Sequence, residues 1–242
     1  MSTTVYHIQG REIGFPVEVR DASSGAATFA VSARAAQRLL PGSELRVAEI
    51  WPGRALCTIA AIDYRDNDLG DYNEVSISFF VRPPGEGGIP YLGTWVDLFR
   101  SQLGTCILHL PVDQAFTCEA GCSIWGFPKT VQQIDLRYEA ERVTCDLVYD
   151  GEPALTLTLP RGGSRALPES TLTTFSYIEG VAHRTRFVSA AEGFGVRFGG
   201  AELRLGRGRI ADELRSLGLP GRPLMATWME HMRARFEPPE KL

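Results

Sequence analysis

The sequence predicts a mainly β chain of α+β class, built from antiparallel strands with a few peripheral helices. Three observations predict it. The 25 glycines and 15 prolines make up about a sixth of the 242 residues, above the roughly one-in-eight average, which favours many turns and short strands. Runs of β-branched and aromatic residues recur between Gly, Pro and Asp. Only three stretches carry helical spacing. The Pro-Gly-rich stretches Pro83–Pro90 and Pro160–Pro168 are short enough to be loops inside one fold, so a single domain over residues 1–242 is expected.

In chain order, strands are expected at Ile13–Arg20, Glu44–Ile50, Ala55–Asp63, Glu74–Val81 and Thr105–Leu110. A second group, Val131–Tyr138, Val143–Tyr149, Ala154–Leu159 and Leu172–Ile178, alternates apolar and polar residues more cleanly. The L-T-L-T-L run ending at Leu159 is the clearest case and reads as a half-buried antiparallel sheet. Ser32 can cap a helix through Leu40, which Pro41-Gly42 ends. Arg209–Leu217 sets Ile210, Leu214 and Leu217 at helical spacing before Gly218 and Pro220. Leu224–Phe236 places Met225, Trp228, Met229, Met232 and Phe236 along one stripe and is expected to be a C-terminal helix whose apolar face is core or subunit contact.

Composition excludes several function classes. A net charge of −4 gives no broad positive field for a phosphate backbone, and no stretch approaches the roughly 20 apolar residues of a membrane-crossing helix, so neither nucleic acid nor membrane is an expected partner. Met1–Gly10 lacks a basic flank followed by an apolar run, so no cleaved signal is expected. Five cysteines at irregular spacing fit a reduced, cytoplasmic setting.

The 25 basic residues include only two lysines, Lys129 and Lys241. Coding bias explains most such replacement, but arginine cannot be deprotonated in a protein, whereas lysine can become a neutral nucleophile. Lys129 lies in S-I-W-G-F-P-K-T, directly after a large apolar cluster and a rigid proline. Desolvation near such walls penalises the ammonium, so the segment predicts a lowered pKa. A neutral amine attacks a ketone to form a Schiff base, and the protonated imine is an electron sink for breaking the adjacent carbon bond. The same pattern also fits a snorkelling surface lysine.

The W-G-F-P-K segment resembles the nucleophile motif of the acetoacetate decarboxylase family, whose lysine is a standard example of an activated amine. Tyr72-Asn73-Glu74 resembles the family's Tyr-x-Glu, and Gly10-Arg11-Glu12 its early Arg-Glu pair. The resemblance implies a conical or barrel-like antiparallel sheet, no cofactor, a homo-oligomer, and decarboxylation of a small β-keto acid. Lys129 would form the imine, Arg11 would bind a substrate carboxylate or balance a buried acid, and Glu74 would orient Arg11 or move a proton. Tyr72, Trp125, Phe127, Pro128 and Thr130 would line the substrate pocket. Two departures stand out: Thr130 occupies the place of a second lysine, and Ala55–Ile62 contains no acid, Asp63 being the nearest. Relatives with altered pockets resemble aldolases or dehydratases on pyruvate-like ketones, so that chemistry is one alternative and a non-catalytic binding protein another.

Other signals carry less. Cys118 and Cys122 lack a second pair for a structural metal site, so no metal is expected. Asp63, Asp66, Asp68 and Asp71 read as a solvated turn. The Gly193-Phe194-Gly195 and Gly206-Arg207-Gly208 turns lack the full phosphate-loop spacing. His7, His109, His183 and His231 are scattered, with no nucleophile elbow, and His109 reads as a strand histidine facing solvent.

Overall fold

The computed structural model describes residues 5–83, 85, 91–100 and 102–242. The first four residues of Met1–Gly10 and most of the expected Pro83–Pro90 loop lie outside them. The chain runs β1 (Tyr6–Ile8), β2 (Arg11–Ile13), β3 (Val17–Ser32), α1 (Ala33–Leu39), β4 (Arg46–Val47), β5 (Glu49–Trp51), β6 (Arg54–Asn67), β7 (Tyr72–Arg82) and α2 (Leu92–Phe99). It continues through β8 (Gly104–Val112), α3 (Ala115–Trp125), β9 (Lys129–Val131), β10 (Gln133–Tyr138), β11 (Arg142–Tyr149), β12 (Glu152–Pro160) and β13 (Arg165–Ile178). The last elements are β14 (Val181–Phe198), β15 (Glu202–Leu205), α4 (Arg209–Ser216), β16 (Met225–Phe236) and β17 (Glu240–Lys241).

Seven strands close on themselves in the order β7-β6-β3-β16-β14-β13-β8, with β8 returning to β7. Closure removes the open edges that would otherwise template aggregation. Most pairings are antiparallel, as expected, but β8 lies parallel to both β13 and β9. A second sheet, β10-β11-β12-β15, packs on the outside of the barrel wall.

Strand alternation lets the wall serve two interiors, because successive side chains point to opposite faces. Phe29, Ile59, Ile77 and Phe79 point outward and pack with Leu147, Leu157 and Leu159 of the second sheet in one continuous core. Thr58, Ala60 and Ile62 of β6, with Glu74, Ser76 and Ser78 of β7, point inward. The register pairs Ile62 with Glu74, Ala60 with Ser76 and Thr58 with Ser78.

The helix α1 forms where Ser32 caps it, its side chain accepting a bond from the Ala35 N–H at 3.3 Å. Ser32→Ala is expected to lower stability by about 1 kcal/mol. Urea unfolding would read this as a shifted midpoint with an unchanged slope, at normal activity, since the cap lies on the face away from the barrel interior. α4 also forms where its spacing predicts, burying Ile210, Ala211 and Leu214.

The stretch Leu224–Phe236 is not a helix. It is the strand β16, paired with β14 and β3, and the register shift against β3 between Met229 and Met232 explains the misleading spacing. Trp228 faces outward onto Tyr138, whereas Met229, Met232, Ala234 and Phe236 line the interior. The bulge between Met229 and Met232 inserts a residue into the two-residue alternation, converting it to an apparent helical repeat. Most of the apolar stripe is therefore consumed by the barrel and gives no argument for subunit contact.

The helices α2 and α3 and the long strand β14 are not anticipated by the pattern. α3 has an apolar face broken by Thr117, Cys118 and Gly121, and its periodicity is correspondingly weak. His109 does not face open solvent: its Nε2 lies 2.5 Å from Glu213 of α4, and burial pulls its pKa down. The acidic stretch is not all turn: Asp63 and Asp66 lie on β6, and Asp66 and Asp68 pair with Arg20. No helix among the described residues is long and apolar enough to cross a membrane.

Candidate active site

Three elements converge on Lys129. β7 turns Tyr72, Glu74, Ser76 and Ser78 into the barrel. α3 starts at Gln114, whose side chain accepts from the Thr117 N–H, and ends at Gly126 in the left-handed region at φ 64°. The Phe127 N–H then donates back to the Gly121 carbonyl at 3.1 Å, closing a tight helix stop. The chain reverses there and enters β9, where Lys129 pairs with Leu110 of β8. This reversal lays the lysine stem across α3.

A Cβ on Gly121 would sit 2.5 Å from Lys129 Cδ and 2.7 Å from Cε, so only glycine leaves the lysine its path. Gly121→Ala should therefore displace the amine even though alanine favours a helix by about 1 kcal/mol. The expected result is a kcat/KM about 10²-fold lower. A rate within threefold of wild type would show that Lys129 does not need this channel.

The Lys129 Nζ lies 2.9 Å from Glu74 Oε2 and donates to Thr117 Oγ1 at 3.2 Å, with the Tyr72 ring centroid 4.9 Å away. Both members of the ion pair are buried, with 5% and 7% of their side-chain surfaces exposed. Tyr64 stacks on Tyr72 and donates to Glu74 Oε1 at 3.4 Å. Burial lifts the pKa of both phenols, and the Glu74 carboxylate adds to the rise.

The electrostatics overturn one expectation. Burial alone would pull the Lys129 pKa down, as the apolar segment suggests, but the Glu74 carboxylate and Tyr72 oppose it and the net shift is upward. The resting amine is an ammonium held by Glu74. The sequence displays the apolar wall beside Lys129, whereas the acid arrives from a remote strand.

The pair sits in the wall of a cavity of about 310 Å³ enclosed by the barrel. Of the residues expected to line it, Tyr72, Trp125 and Phe127 do, together with Glu74 and Lys129. Pro128 and Thr130 do not: Pro128 is exposed, and Thr130, one position along the strand from Lys129, points to the other face, 3.5 Å from the Tyr149 hydroxyl. Arg11 is also not in the lining. It is exposed on the β1–β2 hairpin, with its guanidinium 4.2 Å from the Phe116 ring centroid and 3.4 Å from the Asp68 carbonyl. Lys129 is the one cation and Glu74 the one anion among the described lining residues.

Thr117, Tyr64 and Gly121 belong to the site without having been anticipated. Gly121, a glycine inside an otherwise helical stretch, is the one that carries a readable signal, since such a glycine commonly marks close approach.

A family model described as acetoacetate decarboxylase (ADC) matches residues 7–233. None of the curated proteins compared matches the chain. Among solved structures, an acetoacetate decarboxylase from Legionella pneumophila aligns with TM-score 0.67 and 16% identity, over 94% of this chain and 87% of that one. The enduracididine biosynthesis enzyme MppR, complexed with pyruvate, aligns with TM-score 0.64 and 13% identity, over 100% and 98%. An acetoacetate decarboxylase-like enzyme from Sphingomonas wittichii RW1 aligns with TM-score 0.58 and 14% identity, over 100% and 99%. At these identities the likeness carries the barrel fold.

Proposed function

The chain belongs to the acetoacetate decarboxylase family, and from that premise we propose that it is a cofactor-independent carbon–carbon lyase that decarboxylates a β-keto acid through a Schiff base on Lys129. The observation that carries this reading is the buried Lys129–Glu74 pair, 2.9 Å apart, in the wall of a cavity that is otherwise uncharged over its described lining.

The chemistry follows from the charges. The resting ammonium cannot attack, so its proton passes first to Glu74, which lies within direct transfer distance. The neutral amine adds to the ketone, and the protonated Glu74 helps expel the hydroxyl as water. The resulting iminium restores the positive charge opposite the Glu74 carboxylate. The C–C bond to the carboxylate then breaks, its electron pair flows into the iminium to give an enamine, and CO2 departs. An uncharged wall favours this step because it offers the substrate carboxylate no lasting partner. A proton taken up from solvent adds to the enamine carbon, and water then hydrolyses the regenerated iminium, releasing the ketone and restoring the ammonium–carboxylate pair.

The same charge argument weighs against a pyruvate-like aldolase or dehydratase, which shares the imine but retains its carboxylate throughout. Such a substrate needs a cation that stays, and the described lining supplies none beyond the lysine itself. The proposal also carries a cytoplasmic location, resting on the five irregularly spaced cysteines, and a homo-oligomer, resting on family resemblance.

Borohydride trapping tests the imine. Only Lys129, Lys241 and the N-terminal amine can react, so intact mass and peptide mapping locate an adduct cleanly. Acetoacetate or a longer β-keto acid should leave a reduced adduct on Lys129 and release CO2. An adduct without CO2 would favour the aldolase chemistry, and no adduct with any ketone would leave a binding protein.

A further inference from the structure

Resting on that reading, we infer that the substrate is a β-keto acid carrying an extended, uncharged and mainly apolar tail, and that the tail lies along the inner face of β7.

The cavity is longer than a four-carbon keto acid needs. Glu74, which holds the amine, and Ser78, which still lines the cavity, are four residues apart on one strand, and about 3.3 Å per residue places them about 13 Å apart. Barrels of this size are ordinarily filled by their own side chains or hold one small ligand. Here the interior stays open because small residues, Ala60, Ser76 and Ala234 among them, stand where bulk would close it. The resulting 310 Å³ reaches the lower end of the range of sites that bury drug-sized ligands.

The far end is less polar than its composition suggests. Thr58 bonds the Thr28 hydroxyl at 3.1 Å, Thr105 donates to the Thr173 carbonyl at 3.4 Å, and Thr174 donates to the Thr105 carbonyl at 3.2 Å. With hydroxyls engaged in the wall, these threonines offer mainly methyl groups to a ligand. Phe187 and Phe236 add aromatic surface. No described lining residue there is charged, so a second carboxylate or an ammonium on the tail would be buried unpaired.

The test is a chain-length series: 3-oxobutanoate, 3-oxohexanoate and 3-oxooctanoate, with 3-oxoadipate as the charged-end comparator, measured as kcat/KM for CO2 release. Calorimetric titration with unbranched 2-ketones of matching length reads occupancy independently of turnover. Full burial gives about fourfold per methylene, so a rise of tenfold to a hundredfold from the four-carbon to the eight-carbon acid is expected, with 3-oxoadipate below 3-oxohexanoate. Ketone affinity should rise in parallel. Ala60→Phe, which narrows the channel opposite Ser76, should collapse the eight-to-four-carbon ratio to near one.

Rates and affinities that fall or stay flat with length would overturn the inference while leaving the lysine chemistry standing. Should no keto acid give an imine or CO2, the lyase reading fails. Ketone affinity that still climbs with length would then support the tail site by itself, and flat affinity would reject it.

Discussion

Lys129→Arg is expected to reduce kcat/KM at least about 10⁴-fold, a loss typical of removing a nucleophile. Arginine preserves the positive charge opposite Glu74 but has no accessible neutral form, so it can hold the carboxylate and cannot form an imine. The substitution thus separates charge from nucleophilicity. The larger guanidinium meets the tight passage over Gly121, so circular dichroism and thermal unfolding must accompany the assay. A folded variant with residual turnover within tenfold of wild type, or with borohydride-trapped product elsewhere in the chain, would reject Lys129 as the imine-forming group. Loss of both turnover and adduct in a folded variant is the expected outcome.

Glu74→Gln should lower kcat by about 10² to 10⁴, the usual worth of a positioned acid–base group, and should also move the pH dependence in a definite direction. In the wild type the carboxylate holds the Lys129 ammonium, so its pKa lies above the ordinary lysine value. Glutamine removes the larger of the two influences that oppose burial, leaving only Tyr72, so the amine loses its proton more easily. The rising limb of the borohydride-trapping rate should therefore shift to lower pH, even as overall turnover falls for want of an acid to expel water.

The stability effect has the matching sign. A lysine whose folded pKa is raised stabilises the fold fully below its unfolded value, about 10.4, and loses that contribution as pH rises through the folded value. The variant should accordingly be less stable near neutrality, by up to about 3–5 kcal/mol if the ammonium stayed charged and unpaired. The gap should begin to narrow as pH rises through the variant's lowered lysine pKa, and narrow further in alkali as the wild type loses its own contribution. A trapping profile superimposable on the wild type, with kcat within threefold, would remove Glu74 from the proposed mechanism.

Most of the fold was legible because its strands carry period-two patterning, and α1 and α4 carry both caps or stops and spacing. β16 was misread because a bulge imitates the helical repeat in the one-dimensional pattern. α3 was invisible because the glycine that makes room for Lys129 also breaks the apolar periodicity by which helices are recognised. At the site, Lys129 and Glu74 were legible as residues, whereas their 2.9 Å contact was not, since it depends on barrel closure and the reversal at Gly126. The lowered pKa expected for Lys129 failed for the same reason: a local sequence window shows the desolvating neighbours of a group and omits its long-range partner. Thr130 shows a simpler limit, because adjacency along β9 places it on the face opposite Lys129, and Pro128, just before that strand, is exposed. Arg11 illustrates how a motif position can match while the hairpin bearing it stays on the surface.

The two-faced barrel wall has an evolutionary consequence. Along β6 and β7 the positions that shape the cavity, such as Ala60, Ser76 and Ser78, alternate with those that lock the wall to the second sheet, such as Ile59, Ile77 and Phe79. Selection acting on ligand preference and selection acting on folding therefore fall on interleaved but largely separate sets of codons. Substitutions at Ala60, Ser76 or Ser78 therefore reshape the chamber without touching the outward core, whereas lining residues such as Ile62, Tyr72 and Leu110 belong to a buried cluster of their own and answer to folding as well as to ligand preference.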